Sequence, residues 1–234
     1  MTRVLRPWLI LLFITCGLAE SVHAEERLIP LKKGDRILFL GDSITQSGDD
    51  IDTGYVRLIR RRLAEKHADF GIEVLGAGIS GNTVPDLQAR LERDVLVKKP
   101  TIVVIYIGIN DVWHRQRDQG GTSPEAFATG LNDVISRCTA AGARVVLCTP
   151  TMIGEKKNGA NVLDRPLDQY ADISRDLAQK HQLPLCDLRK TFVDYQQDNN
   201  RNDVEQGLLT SDQVHLNDAG NRLVAETVLK IFER

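Results

Sequence analysis

The sequence predicts an α/β fold in which five parallel strands form one sheet covered by helices on both faces, a three-layer α/β/α sandwich. From Arg36 onward, short apolar runs alternate with longer segments of helical period. That alternation is what a parallel sheet with crossover helices imposes. The 234 residues are 42% hydrophobic, 26% charged and 5% aromatic, the balance of a globular chain rather than a disordered or fibrous one. No internal repeat, low-complexity stretch or Pro/Ser-rich linker divides the chain beyond its leader, so residues 25–234 read as a single domain.

The leader is residues 1–24. Arg3 and Arg6 precede an apolar run from Trp8 to Leu18, and Val22-His23-Ala24 closes the segment with small residues where a signal peptidase reads. The run is about a dozen residues against the roughly 20 that a spanning helix needs. The segment therefore predicts a signal peptide cleaved after Ala24, with the mature protein periplasmic or secreted and not stably inserted in a membrane. Cys16 as a lipidation site is disfavoured by the bulkier Thr15 before it.

Five strands follow. They are Arg36 to Leu40, Ile72 to Leu75, Thr101 to Ile107, Arg144 to Cys148 and Leu183 to Cys186, each ending near Gly, Pro, Asp or Thr. Between the first two, Tyr55, Val56, Leu58, Ile59 and Leu63 make an apolar stripe with Thr53 as N-cap, and Arg60, Arg61 and Arg62 fall largely on the solvated side. Val84 to Val97 forms a second helix. Pro124 opens a third, with Ser123 as its cap, and Asp168 to His181 forms a fourth. The last runs from Asp218, turning Leu223, Val224, Val228 and Ile231 inward.

After the leader the chain keeps Cys138, Cys148 and Cys186. Three cysteines in a chain long enough to build its own core exclude a disulfide scaffold. Cys148 and Cys186 both end strand-like runs and can lie near each other, with buried free thiols the commoner outcome. Lys plus Arg number 30 and Asp plus Glu 32, a formal charge of −2, which excludes a nucleic-acid partner held by a basic surface.

In a sheet of this kind, ligands bind beyond the carboxyl ends of the strands. The segments there read Gly41-Asp42-Ser43-Ile44-Thr45, Gly76-Ala77-Gly78-Ile79-Ser80-Gly81-Asn82 and Gly108-Ile109-Asn110-Asp111. Ser43 follows its strand in a tight turn, but a serine needs a base to act as a nucleophile. Asp212 and His215 supply one, three positions apart, so that in a single turn the carboxylate can hold one imidazole nitrogen and leave the other for the serine proton. Acyl transfer also needs donors for the developing oxyanion. The Gly81 N–H, the Asn110 side chain and the Ser43 N–H fit that need. Each piece alone has a structural reading: a capped turn at Ser43, turn formers at Asn110 and Asp111, a bend at Gly81, and a cap with a surface imidazole at Asp212 and His215. Their joint order along the chain favours chemistry.

Together the four segments resemble the four blocks of the SGNH hydrolases, also called the GDSL esterases and lipases: Gly41-Asp42-Ser43, Gly78 to Asn82, Gly108 to Asp111, and Asp212 to His215. The resemblance implies a flavodoxin-like sandwich with Ser43 as nucleophile, His215 as general base and acid, and Asp212 as its orienting carboxylate. It also implies an oxyanion hole of Ser43, Gly81 and Asn110, and chemistry without metal or cofactor.

The expected activity is hydrolysis of carboxylic esters through an acyl-enzyme. No broad apolar lid is visible in the polar stretches from Met152 to Arg165 and Asp194 to Thr210, so short acyl groups, acetyl on a polysaccharide among them, are favoured. Trp113 and His114 are candidate substrate-binding residues, with an exposed turn as the alternative. Rival readings are an acyltransferase to a sugar hydroxyl and a non-catalytic carbohydrate-binding domain. Gly76 to Gly81 also satisfies G-x-G-x-x-G, but the fingerprint follows the second strand, not the first, and the next strand ends without the acidic residue it requires. A G-x-S-x-G elbow is excluded by Thr45. The sequence is silent on oligomeric state.

Overall fold

The computed structural model describes residues 27–232; the leader read in residues 1–24, with Cys16 and Ala24, lies outside the described residues. Five strands, β1 (Arg36–Gly41), β2 (Glu73–Gly78), β3 (Ile102–Tyr106), β4 (Arg144–Cys148) and β5 (Leu185–Cys186), pair in parallel in the order β2-β1-β3-β4-β5. The central strand β3 is buried along its whole length and β1 almost so, which is why both read as continuous apolar runs rather than alternating ones.

Among the described residues, eight α-helices cover the sheet: α1 (Ser43–Asp50), α2 (Tyr55–Lys66), α3 (Val84–Asp94), α4 (Ile109–Gln116), α5 (Pro124–Ala140), α6 (Asp164–Lys180), α7 (Leu188–Asn199) and α8 (Asp218–Phe232). Helices α1, α2, α7 and α8 pack in sequence as one layer, and α3, α4, α5 and α6 as the other. Among the described residues, no helix is long and apolar enough to cross a membrane.

The strands fall where the apolar runs put them, with β5 shortened to Leu185–Cys186 and β2 extended through Gly78. Cys148 and Cys186 are partners across β4 and β5, buried and free, as is Cys138. The helices differ more. Gly54, not Thr53, is the N-cap of α2, and the cap's function passes to α8, whose Asn221 Oδ1 accepts the Tyr55 N–H at 3.0 Å. Arg61 and Arg62 are exposed as expected, but Arg60 turns back to donate to the Val74 carbonyl at 3.0 and 2.9 Å and to Asp49 at 2.6 Å. Strand β2 is an edge strand, and an arginine that covers one of its free carbonyls closes a surface otherwise open to pairing.

Helix α3 ends at Asp94 rather than Val97, and α6 begins at Asp164 rather than Asp168, with Pro166 tolerated in its first turn. Helices α4 and α7 lie where loops were expected. Both bury few apolar residues, chiefly Ile109 and Val112 in α4 and Leu188 and Phe192 in α7, so their period is weak.

Candidate active site

The strand order reverses between β1 and β3, whose C-terminal residues Gly41 and Tyr106 are partners. Helix α1 leaves β1 toward one layer and α4 leaves β3 toward the other, which opens a crevice at the switch point. Ser43 is the first residue of α1 and remains partly exposed. Asp42 precedes it as N-cap, its Oδ1 accepting the Ile44 N–H at 2.9 Å.

Helix α1 can lie against the end of β2 only because that strand ends in glycine. A Cβ on Gly78 would fall 2.1 Å from the Gln46 nitrogen. The glycine run that mimics a dinucleotide fingerprint thus serves helix-to-strand contact beneath the serine.

Opposite Ser43 stands His215. Its Nε2 is 3.0 Å from Ser43 Oγ, and its Nδ1 is 2.7 Å from Asp212 Oδ2. Asp212 and His215 lie in one compact turn outside any helix, closed by the Ser211 N–H donating to the His215 carbonyl at 2.8 Å and by an antiparallel bridge between Thr210 and Leu216. Asp212 Oδ1 accepts the backbone N–H groups of Val214 at 3.1 Å and His215 at 2.7 Å. Gln213 between them adopts φ +76°, a conformation held by the Gly154 N–H donating to its carbonyl at 2.8 Å. Burial pushes the Asp212 carboxyl up, but hydrogen bonds from the His215 ring and from the His215 and Val214 amides outweigh it and hold the group below its ordinary range.

A buried carboxylate fixes this loop from below. Glu155, fully buried, accepts from the N–H groups of Leu208 at 2.7 Å, Leu209 at 2.8 Å and Thr210, and from the Thr210 hydroxyl at 2.7 Å. Sequence reasoning placed Glu155 only in a polar stretch. A lone glutamate carries no signal of such a role.

The residues expected as oxyanion donors follow three neighbouring strands: Ser43 after β1, Gly81 after β2 and Asn110 after β3. As the first residue of α1, Ser43 is one of the positions whose N–H has no partner inside the helix. Gly81 holds φ +78° in a turn where the Asn82 N–H donates to the Ile79 carbonyl at 3.2 Å, and its own N–H has no acceptor among the described residues. Asn110, second residue of α4 and 4% exposed, donates its Nδ2 to the Asn82 carbonyl at 3.1 Å. Two helix N-termini therefore face one crevice, where their dipoles favour negative charge.

Trp113 and His114 lie one turn further along α4, half-buried rather than in an exposed turn, and the Arg117 guanidinium stacks 4.2 Å over the Trp113 ring. Beneath the site are two buried carboxyls. Burial pushes Asp42 up to about 7, with the neighbouring Asp111 adding to the shift and the Ile44 amide opposing it. Asp111 is pushed up to about 6, again chiefly by burial, while its Oδ1 accepts the Val84 N–H at 3.0 Å. Among the described residues, no group of three His, Cys, Asp or Glu side chains is placed to hold a metal ion.

A parallel α/β/α sandwich with a serine, an imidazole and a carboxylate in line at its switch point is the arrangement of an acylhydrolase. Residues 39–223 match the GDSL-like Lipase/Acylhydrolase family, and the chain belongs to that family. It is 32% identical over 216 residues to an acetylxylan esterase of Geobacillus stearothermophilus, a match covering 84% of this chain and 93% of that one. Among solved structures, the acetyl xylan esterase AlAXEase has a TM-score of 0.80 at 42% identity, covering 83% of this chain and 98% of that chain. Axe2, an acetylxylan esterase from Geobacillus stearothermophilus, has a TM-score of 0.78 at 29% identity, covering 88% and 98%. Axe2 has also been solved as catalytic mutants in which a serine or a histidine is replaced by alanine. The present chain is an ester hydrolase with the SGNH fold.

Proposed function

We propose that this ester hydrolase is a serine esterase that removes short acyl groups, acetyl above all, from carbohydrate through an acyl-enzyme on Ser43. The observation that carries the reading is the line from Asp212 through His215 to Ser43, with contacts of 2.7 and 3.0 Å. An ionised carboxylate only accepts, so Asp212 takes the proton-bearing Nδ1 of the imidazole and leaves the Nε2 lone pair for the serine hydroxyl.

As Ser43 Oγ attacks the ester carbonyl, His215 takes its proton and Asp212 balances the charge that forms on the ring. The carbonyl oxygen becomes an oxyanion within reach of the Ser43 and Gly81 N–H groups and the Asn110 amide. His215 returns the proton to the departing sugar hydroxyl, and a water, deprotonated by the same nitrogen, then releases the acid.

Two features favour a small acyl group on a sugar. The relatives above are named for acetylxylan. The large apolar side chains exposed among the described residues, Ile51, Ile79, Val97, Val162 and Val204, come from separate segments of the chain. Trp113 and His114, beside Asn110 on α4, would wall the sugar subsite. The leader read in residues 1–24 supports export to where such polysaccharides lie, with residues 25–234 as the mature domain.

A chain-length series of p-nitrophenyl esters run beside acetylated xylan fragments tests the reading. Acetate should be cleaved fastest and acetyl should be released from the xylan. Faster turnover of long chains than of acetate would overturn the substrate assignment.

A further inference from the structure

Resting on the reading above, we infer that Arg90 is the positioning residue that sets the spacing between the nucleophile and the oxyanion donors. Arg90 lies at a core-facing position of α3, in step with Leu87 and Leu91, and is 6% exposed. In the sequence it appears as a charge on an apolar stripe.

Its guanidinium reaches three segments of the site. One NH2 group donates both to the Gly41 carbonyl at 2.8 Å, two residues before Ser43, and to the Ala77 carbonyl at 2.9 Å in β2. Nε donates to Asn82 Oδ1 at 2.6 Å, the residue after Gly81. The Asn82 carbonyl in turn accepts the Asn110 Nδ2 at 3.1 Å. One rigid fork therefore joins the strand end that carries Ser43, the loop that carries Gly81, and, through Asn82, the side chain of Asn110.

Stability alone gives a weak reason for such a group. Burial disfavours the charged form of Arg90, and its one carboxylate partner, Asp94, lies at 3.2 Å; apolar residues of similar volume commonly replace buried ion pairs without loss. What an apolar residue cannot supply is a planar set of donors with fixed angles between acceptors on separate loops. Oxyanion stabilisation depends on such fixed geometry, and misplacement by about 1 Å can cost on the order of 100-fold in rate.

The test is a kinetic cycle on the full chain with p-nitrophenyl acetate, using Arg90→Lys, Asn82→Ala, Asn110→Ala, the double variant Arg90→Lys/Asn110→Ala, and Ser43→Ala. Lysine keeps the charge but not the fork. Arg90→Lys should lower kcat about 10- to 100-fold with KM within about twofold. The double variant should lose less than the product of the two single losses, because both act on one set of donors. Asn82→Ala, which cuts a single arm and leaves the buried guanidinium in place, should show the same kcat-only signature more weakly, and it carries the test if Arg90→Lys does not fold. Unchanged kcat, a loss taken in KM, or strictly multiplicative losses in the cycle would overturn the role of Arg90. If Ser43→Ala retains turnover, it is the serine mechanism that fails, whatever the arginine variants do.

Discussion

His215 Nε2 lies 3.0 Å from Ser43 Oγ although 172 positions separate the two residues in the chain. The serine is placed by regular structure: β1 ends at Gly41, Asp42 caps α1, and α1 rests on the glycine end of β2. The imidazole is placed by a turn outside any helix or sheet strand, closed by the Thr210–Leu216 bridge and tied below by Glu155 and on one side by Gly154. These two kinds of support lead to different predictions.

Glu155→Gln should loosen the loop that carries His215. Glutamine offers a single acceptor oxygen where the carboxylate receives three amides and a hydroxyl, and it turns an NH2 toward those donors. Hydrogen bonds to a charged group are worth about 1.5–3 kcal/mol each, so the variant should lose about 2–3 kcal/mol, or roughly 4–12 °C in Tm for a domain of this size. kcat should fall with it. Thermal unfolding beside steady-state kinetics checks both, and an unchanged Tm would show that the buried carboxylate does not anchor the loop.

Asp212→Asn should act on kcat and leave the fold intact. In a buried triad, the loss of the orienting carboxylate costs about 10⁴-fold. Here the Asp212 side chain is 53% exposed, so water can partly replace the carboxylate, and about 10²-fold is expected, with KM little changed. A variant as active as the wild type would mean that the backbone amides alone hold the imidazole in place.

The two buried carboxyls make stability fall as pH rises. The ordinary Asp value of 3.8 becomes about 7 for Asp42 and about 6 for Asp111, so the folded state binds these protons more tightly than the unfolded chain. Their contribution is fully present below about pH 4 and is lost as pH climbs through 6 and 7. Asp94, drawn down to about 2 first by its hydrogen bond from Arg93, works in the opposite sense and only below about pH 4, outside this window. Tm should therefore decline from pH 5 to 8. Asp42→Asn, which keeps the cap on Ile44 and removes the charge, should flatten that decline and exceed the wild type at pH 8 by several degrees. A wild-type Tm that is level or rises over this range would contradict the assignment.

Much of this was legible in the sequence, and the division follows from local physics. Buried parallel strands are continuous apolar runs, so β1, β3 and β4 could be read directly, as could the placement of Ser43, Gly81 and Asn110 just beyond their strands. Helix α8 carried a full apolar stripe. By contrast, α4 and α7 bury so few apolar residues that they read as loops. The turn at Gln213 was invisible because its positive φ is imposed by Gly154 from another segment. Glu155 was missed for a related reason, since its donors lie 53 to 55 positions away in the chain, while Arg90 showed only as a charge on an apolar stripe whose acceptors the fold brings together.

Acylation of Ser43 can be caught by mixing the wild type and Ser43→Ala with p-nitrophenyl acetate, quenching in acid and mapping the peptides by mass spectrometry. An acetyl group on the Ser43 peptide of the wild type, absent from a folded Ser43→Ala whose turnover has dropped by roughly 10⁴-fold or more, is the predicted result. Turnover that persists in Ser43→Ala, or acetyl carried on another residue during catalysis, would contradict it.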